Sequence, residues 1–163
     1  MSTKIVEAPT SRLRFGHAQV DITPPGNIYH RMWGAARHDA GTGVHCPLLG
    51  DVMYLAPIDG NAPGFVRAQL DMVGLATEEF DALRAALAKG AGLPAAQVII
   101  THSHTHSGGN FAKNRYSMPG GDLIQPYLAE VYTKMGEAAK KAVAAVQPAT
   151  ITWAAGWSNM AYN

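Results

Sequence analysis

The four residues Val98-Ile99-Ile100-Thr101 constrain this chain most. All four are β-branched, a composition that fits a pleated strand better than a helix. A short continuous apolar run of this kind is expected of a strand buried inside a sheet. The run lies between two stretches of helical period. Upstream, residues 77–89 place Phe80, Leu83, Ala86 and Leu87 on one face. Thr77 is the expected N-cap, Glu78 and Glu79 fill the first turn, and Gly90 is the expected stop. Downstream, residues 122–146 line up Leu123, Tyr127, Val131, Met135, Ala138, Ala142 and Val146. Asp122 with Gln125 has the form of a capping box, Pro126 is tolerated in the first turn, and Gln147-Pro148 ends the helix.

Four further segments complete the pattern. Residues 13–22 alternate as a strand and are stopped by Thr23-Pro24-Pro25-Gly26. Residues 51–56 and 64–72 read as a hairpin, and residues 150–157 as a last strand. The order strand, hairpin, helix, strand, helix, strand predicts a layered α/β (α+β) fold, a mixed β-sheet flanked by helices. Residues 1–12 read as a flexible lead-in to a single unit over 13–163.

Length and charge narrow the function classes. A chain of 163 residues fits one domain or part of one. Thirteen basic residues against twelve acidic leave a net charge of +1, which gives no electrostatic footprint for nucleic acid. No apolar run approaches the roughly 18 residues of a membrane span, and the first ten residues lack the apolar core of a signal peptide. The expectation is a cytoplasmic chain with no integral membrane segment. Charged residues are 15% of the chain, against roughly 25% in a typical domain, so more protein is expected to cover part of its surface. An unpaired edge at residues 150–157 would invite self-association. The single cysteine, Cys46, excludes an internal disulfide and reads as a small buried hydrophobe. Trp33, Trp153 and Trp157 read as core or subunit-contact aromatics.

The chemistry concentrates just after the apolar run. Three of the seven histidines fall in Thr101-His102-Ser103-His104-Thr105-His106-Ser107-Gly108-Gly109. In an extended segment His102, His104 and His106 would project to one face. Neutral imidazoles two positions apart can share a metal ion, and zinc suits them. A polar cluster at the carboxyl end of a core strand is where α/β proteins build sites. Residues 27–47 carry no period but hold His30, His38, His45 and two glycine-rich patches, and a stretch this long without structure is expected to be functional. The spacing alone does not name a reaction. A metallo-β-lactamase-like motif would need an Asp-His pair where His106-Ser107 stands.

The surrounding residues add a resemblance. Residues 16–26, Gly-His-Ala-Gln-Val-Asp-Ile-Thr-Pro-Pro-Gly, look like the opening strand and turn of the neutral/alkaline ceramidase family. Gly34 and Gly43-Val44-His45 with Leu48 resemble its glycine-rich loop, and Gln69-Leu70-Asp71-Met72 its strand ending in aspartate. His104-Thr105-His106-Ser107-Gly108 is similar to the family signature. Residues 156–163 look like the approach to an Asn-Arg-Arg segment, cut off after the asparagine. The chain thus resembles the N-terminal part of a longer catalytic domain. Two departures stand out: Gly109 where the family has proline, and His102 where it has a small residue.

The resemblance implies a zinc-dependent hydrolase that cleaves the amide bond of N-acyl lipids such as ceramide through zinc-activated water. It implies His104 as a zinc ligand and His106 as the catalytic group beside the substrate carbonyl. Asp71 would stand behind the metal or merely cap the helix-side turn, and His45 would line the pocket or serve as a hydrogen-bonding loop residue. His102, Ser107 and Gly108 would stand behind the metal or line the substrate pocket. The remaining ligands would come from sequence beyond Asn163. The alternative reading is a fragment that folds and binds metal weakly without catalysis of its own.

Overall fold

A computed structural model describes residues 9–32 and 34–160. Five strands and two helices follow in the order β1 (Thr10–Asp21), β2 (Leu49–Pro57), β3 (Phe65–Leu70), α1 (Thr77–Ala91), β4 (Val98–His102), α2 (Ile124–Ala144) and β5 (Gln147–Thr152). The strands form one mixed sheet in the order β4-β3-β2-β1-β5. β1 pairs antiparallel with both β2 and β5, and β2 with β3, whereas β3 and β4 are parallel. This is the α+β arrangement expected. A parallel pair needs a crossover between its strands, and α1 supplies it.

Both helices cover one face of the sheet. Val52, Val66, Ala68 and Leu70 point inward at alternate strand positions and meet Leu83 and Leu87 of α1 and Val131, Met135 and Ala138 of α2. At the helix crossing, a side chain at Gly90 would strike the backbone of Gly136, so Gly90 serves close approach rather than termination. The helix runs on to Ala91 and is capped by Gly92 in the left-handed region (φ 67°).

Several local expectations differ from what forms. Thr77 is the first helical residue and caps nothing; the N-cap position is Ala76. The Asp122/Gln125 capping box does not form either. A 3-10 turn over Gly121–Leu123 runs directly into α2, and the amides of Leu123 and Ile124 find the carbonyls of Gly120 and Gly121. Residues 10–12 belong to β1 and pair with β5 instead of forming part of a loose lead-in; residues 1–8 lie outside the described ones. β4 is an edge strand, with Ile99 49% exposed, because only β3 pairs with it. β5 spans Gln147–Thr152 rather than 150–157. It is the opposite edge, where Pro148 can sit without breaking the ladder. Trp153 and Trp157 are 59% and 86% exposed, so neither is a core residue, and Trp33 lies outside the described residues. Cys46 is exposed, not buried. No helix among the described residues is long and apolar enough to cross a membrane.

Candidate functional site

The strand directions gather the polar residues at one edge of the sheet. β1, β3 and β4 all run the same way, so their carboxyl ends deliver Thr23, Asp71 and Ser103 to one place. The last ladder pair is Leu70 with His102, immediately before Asp71 and Ser103. This edge is where parallel strand pairs host ligands.

Backbone and side-chain bonds fix it. Leu48 donates its amide to Thr23 Oγ1 at 2.9 Å, and Leu49 to Asp71 Oδ2 at 3.1 Å. Asp71 in turn donates its own amide to the Leu49 carbonyl. Asp21 accepts the Thr23 amide at 2.8 Å, and these bonds to Thr23 hold its carboxyl below the ordinary range. From the helix layer, the Tyr127 hydroxyl donates to Ile22 O at 2.6 Å. Burial pushes that phenol far up, so it remains a neutral donor.

Beyond this edge the irregular 23–48 segment folds over to wall a cavity of about 530 Å³. Asp71, Ser103, Thr105 and Ser107 line one side, and Thr23, His30, His45 and Cys46 the other. Bonds that order the loop include Gly41 N to Gly26 O, His30 N to Asp39 O, and Tyr29 N to Gly120 O. A second cavity of about 360 Å³ adjoins the first through His30, Gly41, Gly43 and Ser107, and adds His38 and His106. His30 and His38 stand edge to face at 5.8 Å. Burial, with the neighbouring His38, holds the His30 imidazole below its ordinary value, and Asp39 opposes that shift.

The histidine trio does not share one face. β4 ends at His102, and His104 turns into the left-handed region (φ 59°), which breaks the strand alternation. His102 packs its ring against Phe80 of α1 at 6.4 Å, with Nε2 buried and lacking a hydrogen-bond partner among the described residues. Burial first, then His104, keeps that imidazole below its ordinary value. His104 and His106 do meet, with ring centroids 5.0 Å apart. His104 Nδ1 lies 2.8 Å from the Val73 carbonyl. A carbonyl only accepts, so Nδ1 carries a proton, and in the neutral ring Nε2 keeps the lone pair.

Each anticipated residue thus has a position. Asp71, His45 and Ser107 line the larger cavity, and His106 lines the smaller. His104 lines neither but touches His106. His102 belongs to the helix side, and Gly108 is buried against Leu48 behind the wall. Gly109, where the resemblance implied proline, has φ 96°, a conformation proline cannot adopt. His30 and His38 carried no assigned role in the sequence; their signal was the unpatterned, histidine-bearing 27–47 segment.

His104 has the tautomer of a metal-ligating imidazole, oriented by a carbonyl behind it. A catalytic zinc site takes three protein ligands. Among the described residues no three His, Cys, Asp or Glu side chains converge to hold a metal ion. These residues therefore fit one or two ligand positions and not a complete zinc shell.

The fold and its cleft define an α+β unit with polar residues gathered beyond its strand ends. The same fold occurs in the neutral ceramidase from Pseudomonas aeruginosa, at a TM-score of 0.62 and 19% identity over 88% of this chain. A ceramidase complexed with C2 matches at a TM-score of 0.64 and 18% identity over 87%. This chain spans only 23% and 22% of those two chains, so the shared fold covers part of each. No family model and no curated protein matches the chain.

Proposed function

We propose that this chain supplies one wall of the active site of a ceramidase-like hydrolase that cleaves the amide bond of N-acyl lipids. The observation carrying this reading is the His104/His106 pair at the end of β4, with His104 Nε2 left as a lone pair by the bond to Val73. The shared fold with two ceramidases supports it. Zinc, when bound, would supply an acidic metal-bound water. His104 would contribute one ligand, and the described residues leave the other positions to side chains outside them. His106 would stand beside the reacting carbonyl. Asp71 would hold the wall through Leu49, and Ser103, Thr105 and Ser107 would offer hydroxyls to the amide and headgroup.

The incomplete ligand set favours a second reading, in which these 163 residues bind zinc weakly without turnover. In that state the β5 edge would pair with another copy. Calorimetric zinc titration and hydrolysis of N-acylsphingosine by the 163-residue chain and its His104→Ala variant separate the readings. Zinc-dependent hydrolysis lost with His104 supports the first, and weak zinc binding without hydrolysis supports the second. Zinc affinity untouched by His104→Ala, or hydrolysis that survives chelation, refutes the role given to His104.

A further inference from the structure

Glu78 and Glu79 both stand in the first turn of α1 but meet different surroundings. Glu78 is exposed and ion-paired with Lys113. Glu79 is only 8% exposed. Its Oε1 accepts from the Tyr116 hydroxyl at 3.2 Å, whereas Oε2 is buried with no hydrogen-bond partner among the described residues. Leaving a buried carboxylate oxygen without a donor is costly.

Glu79 borders a cavity of about 230 Å³, separate from the cleft, whose walls include Tyr116, Gln125, Leu128 and Tyr132. Burial pushes both phenols up, Tyr132 to about 12, and the Glu79 charge adds to each shift, which places both hydroxyls in the field of this carboxylate. A carboxylate flanked by two aromatic rings and an aliphatic wall is the set of groups that takes an organic cation. The acid meets the charge, the ring faces attract the polarised C–H and N–H bonds, and the leucine covers the alkyl part. A metal ion is matched less well, since no three His, Cys, Asp or Glu side chains converge there among the described residues.

We propose that the cavity between the start of α1, Tyr116 and the N-terminal half of α2 binds a small primary alkylammonium group, held by Glu79 and walled by Tyr116 and Tyr132.

The test uses ethylammonium chloride as the probe, titrated into the ¹⁵N-labelled 163-residue chain and followed by amide chemical shifts. Potassium chloride, calcium chloride and ethanol serve as matched titrants. Saturable shifts centred on Glu79, Ala82 and Ala129 are expected with ethylammonium alone. Glu79→Gln should weaken its affinity at least about tenfold, the loss of one charge-assisted hydrogen bond. Should that variant not fold, Tyr132→Leu, which removes a ring and keeps the acid, should weaken the same affinity several-fold. Non-saturating shifts, an equal response to potassium chloride or ethanol, or tighter saturation by calcium would overturn the proposal. So would unchanged affinity in whichever variant folds.

Discussion

Tyr127→Phe tests how the helix layer holds the cleft. Tyr127 is 5% exposed, and its hydroxyl is 2.6 Å from the carbonyl of Ile22, itself 1% exposed. The substitution keeps the ring and its contact with Phe111 at 5.0 Å, so no cavity larger than one oxygen appears. What is lost is the donor to a buried carbonyl, at a cost of about 1–3 kcal/mol. For a domain of this size each kcal/mol moves the melting temperature by about 2–4 °C, so a loss near 2 kcal/mol predicts a fall of about 4–8 °C. Circular dichroism melts with a parallel urea titration measure it. The denaturant slope should stay constant, since the packed surface does not change. Ile22 leads directly into Thr23, whose hydroxyl receives the Leu48 amide. Hydrogen exchange at Leu48 should therefore quicken more than at Val66 in the core. A melting shift below about 1 °C, or uniform exchange changes across the sheet, would show that the hydroxyl is not a structural tie.

Three further outcomes follow from the loop geometry. His104→Gly should be more stable than His104→Ala by about 1 kcal/mol, since both lose the Val73 bond but only alanine is strained at φ 59°; urea midpoints in the reverse order would exclude the left-handed turn. Gly109→Pro should destabilise the chain more than Gly109→Ala, because proline cannot reach φ 96°, and thermal melts of the pair decide it. Burial and His38 depress the His30 pKa in the folded state, so the unfolded chain binds more protons below the ordinary value of about 6.5. The contribution of His30 is then intact above about pH 6.5 and lost as pH falls through its lower folded value. His30→Gln should flatten the stability curve in that window, and an unchanged slope in urea titrations across it would remove His30 as the cause.

The sequence exposed most of this architecture because period and burial agree. The α2 face from Tyr127 to Ala142 is buried as its spacing predicts, and the hairpin of β2 and β3 forms where turn residues separate two alternating runs. The edge position of β4 was not legible. A run of β-branched residues is apolar on both faces whether one neighbour pairs with it or two, and only the sheet order distinguishes these cases. The histidine geometry was hidden for a different reason. Alternation describes His102, His104 and His106 only while the backbone stays extended, and a non-glycine residue at positive φ leaves no compositional mark. Asp71 and His45 could be suspected by residue type, yet the larger cavity depends on Thr23, Ser103 and Thr105, ordinary residues given their place by three parallel strand ends. Glu79 looked like any first-turn acid, because its burial depends on the approach of Tyr116 from 37 residues away.

The pairing of β1 with β5 also fixes an order of events. Thr10 lies opposite Thr152, and Trp153 donates its amide to Pro9, so the sheet joins segments from far apart in the sequence. The entropy of closing so long a loop grows only slowly with its length, but it must be met before any β5 contact forms. The meander of β1, β2 and β3 involves much shorter separations and can assemble earlier. β5 is then the last strand to dock and the first to detach, and its amides should exchange ahead of those in β2. The same adjacency allows a permuted chain, in which a short linker joins residues 153 and 9 and new ends open at the Asp59-Gly60-Asn61 turn. Making β5 and β1 neighbours in sequence would turn that pairing into a local hairpin, while the opened β2–β3 ladder would become the long-range one, so the late step would move from the β1–β5 edge to the β2–β3 ladder.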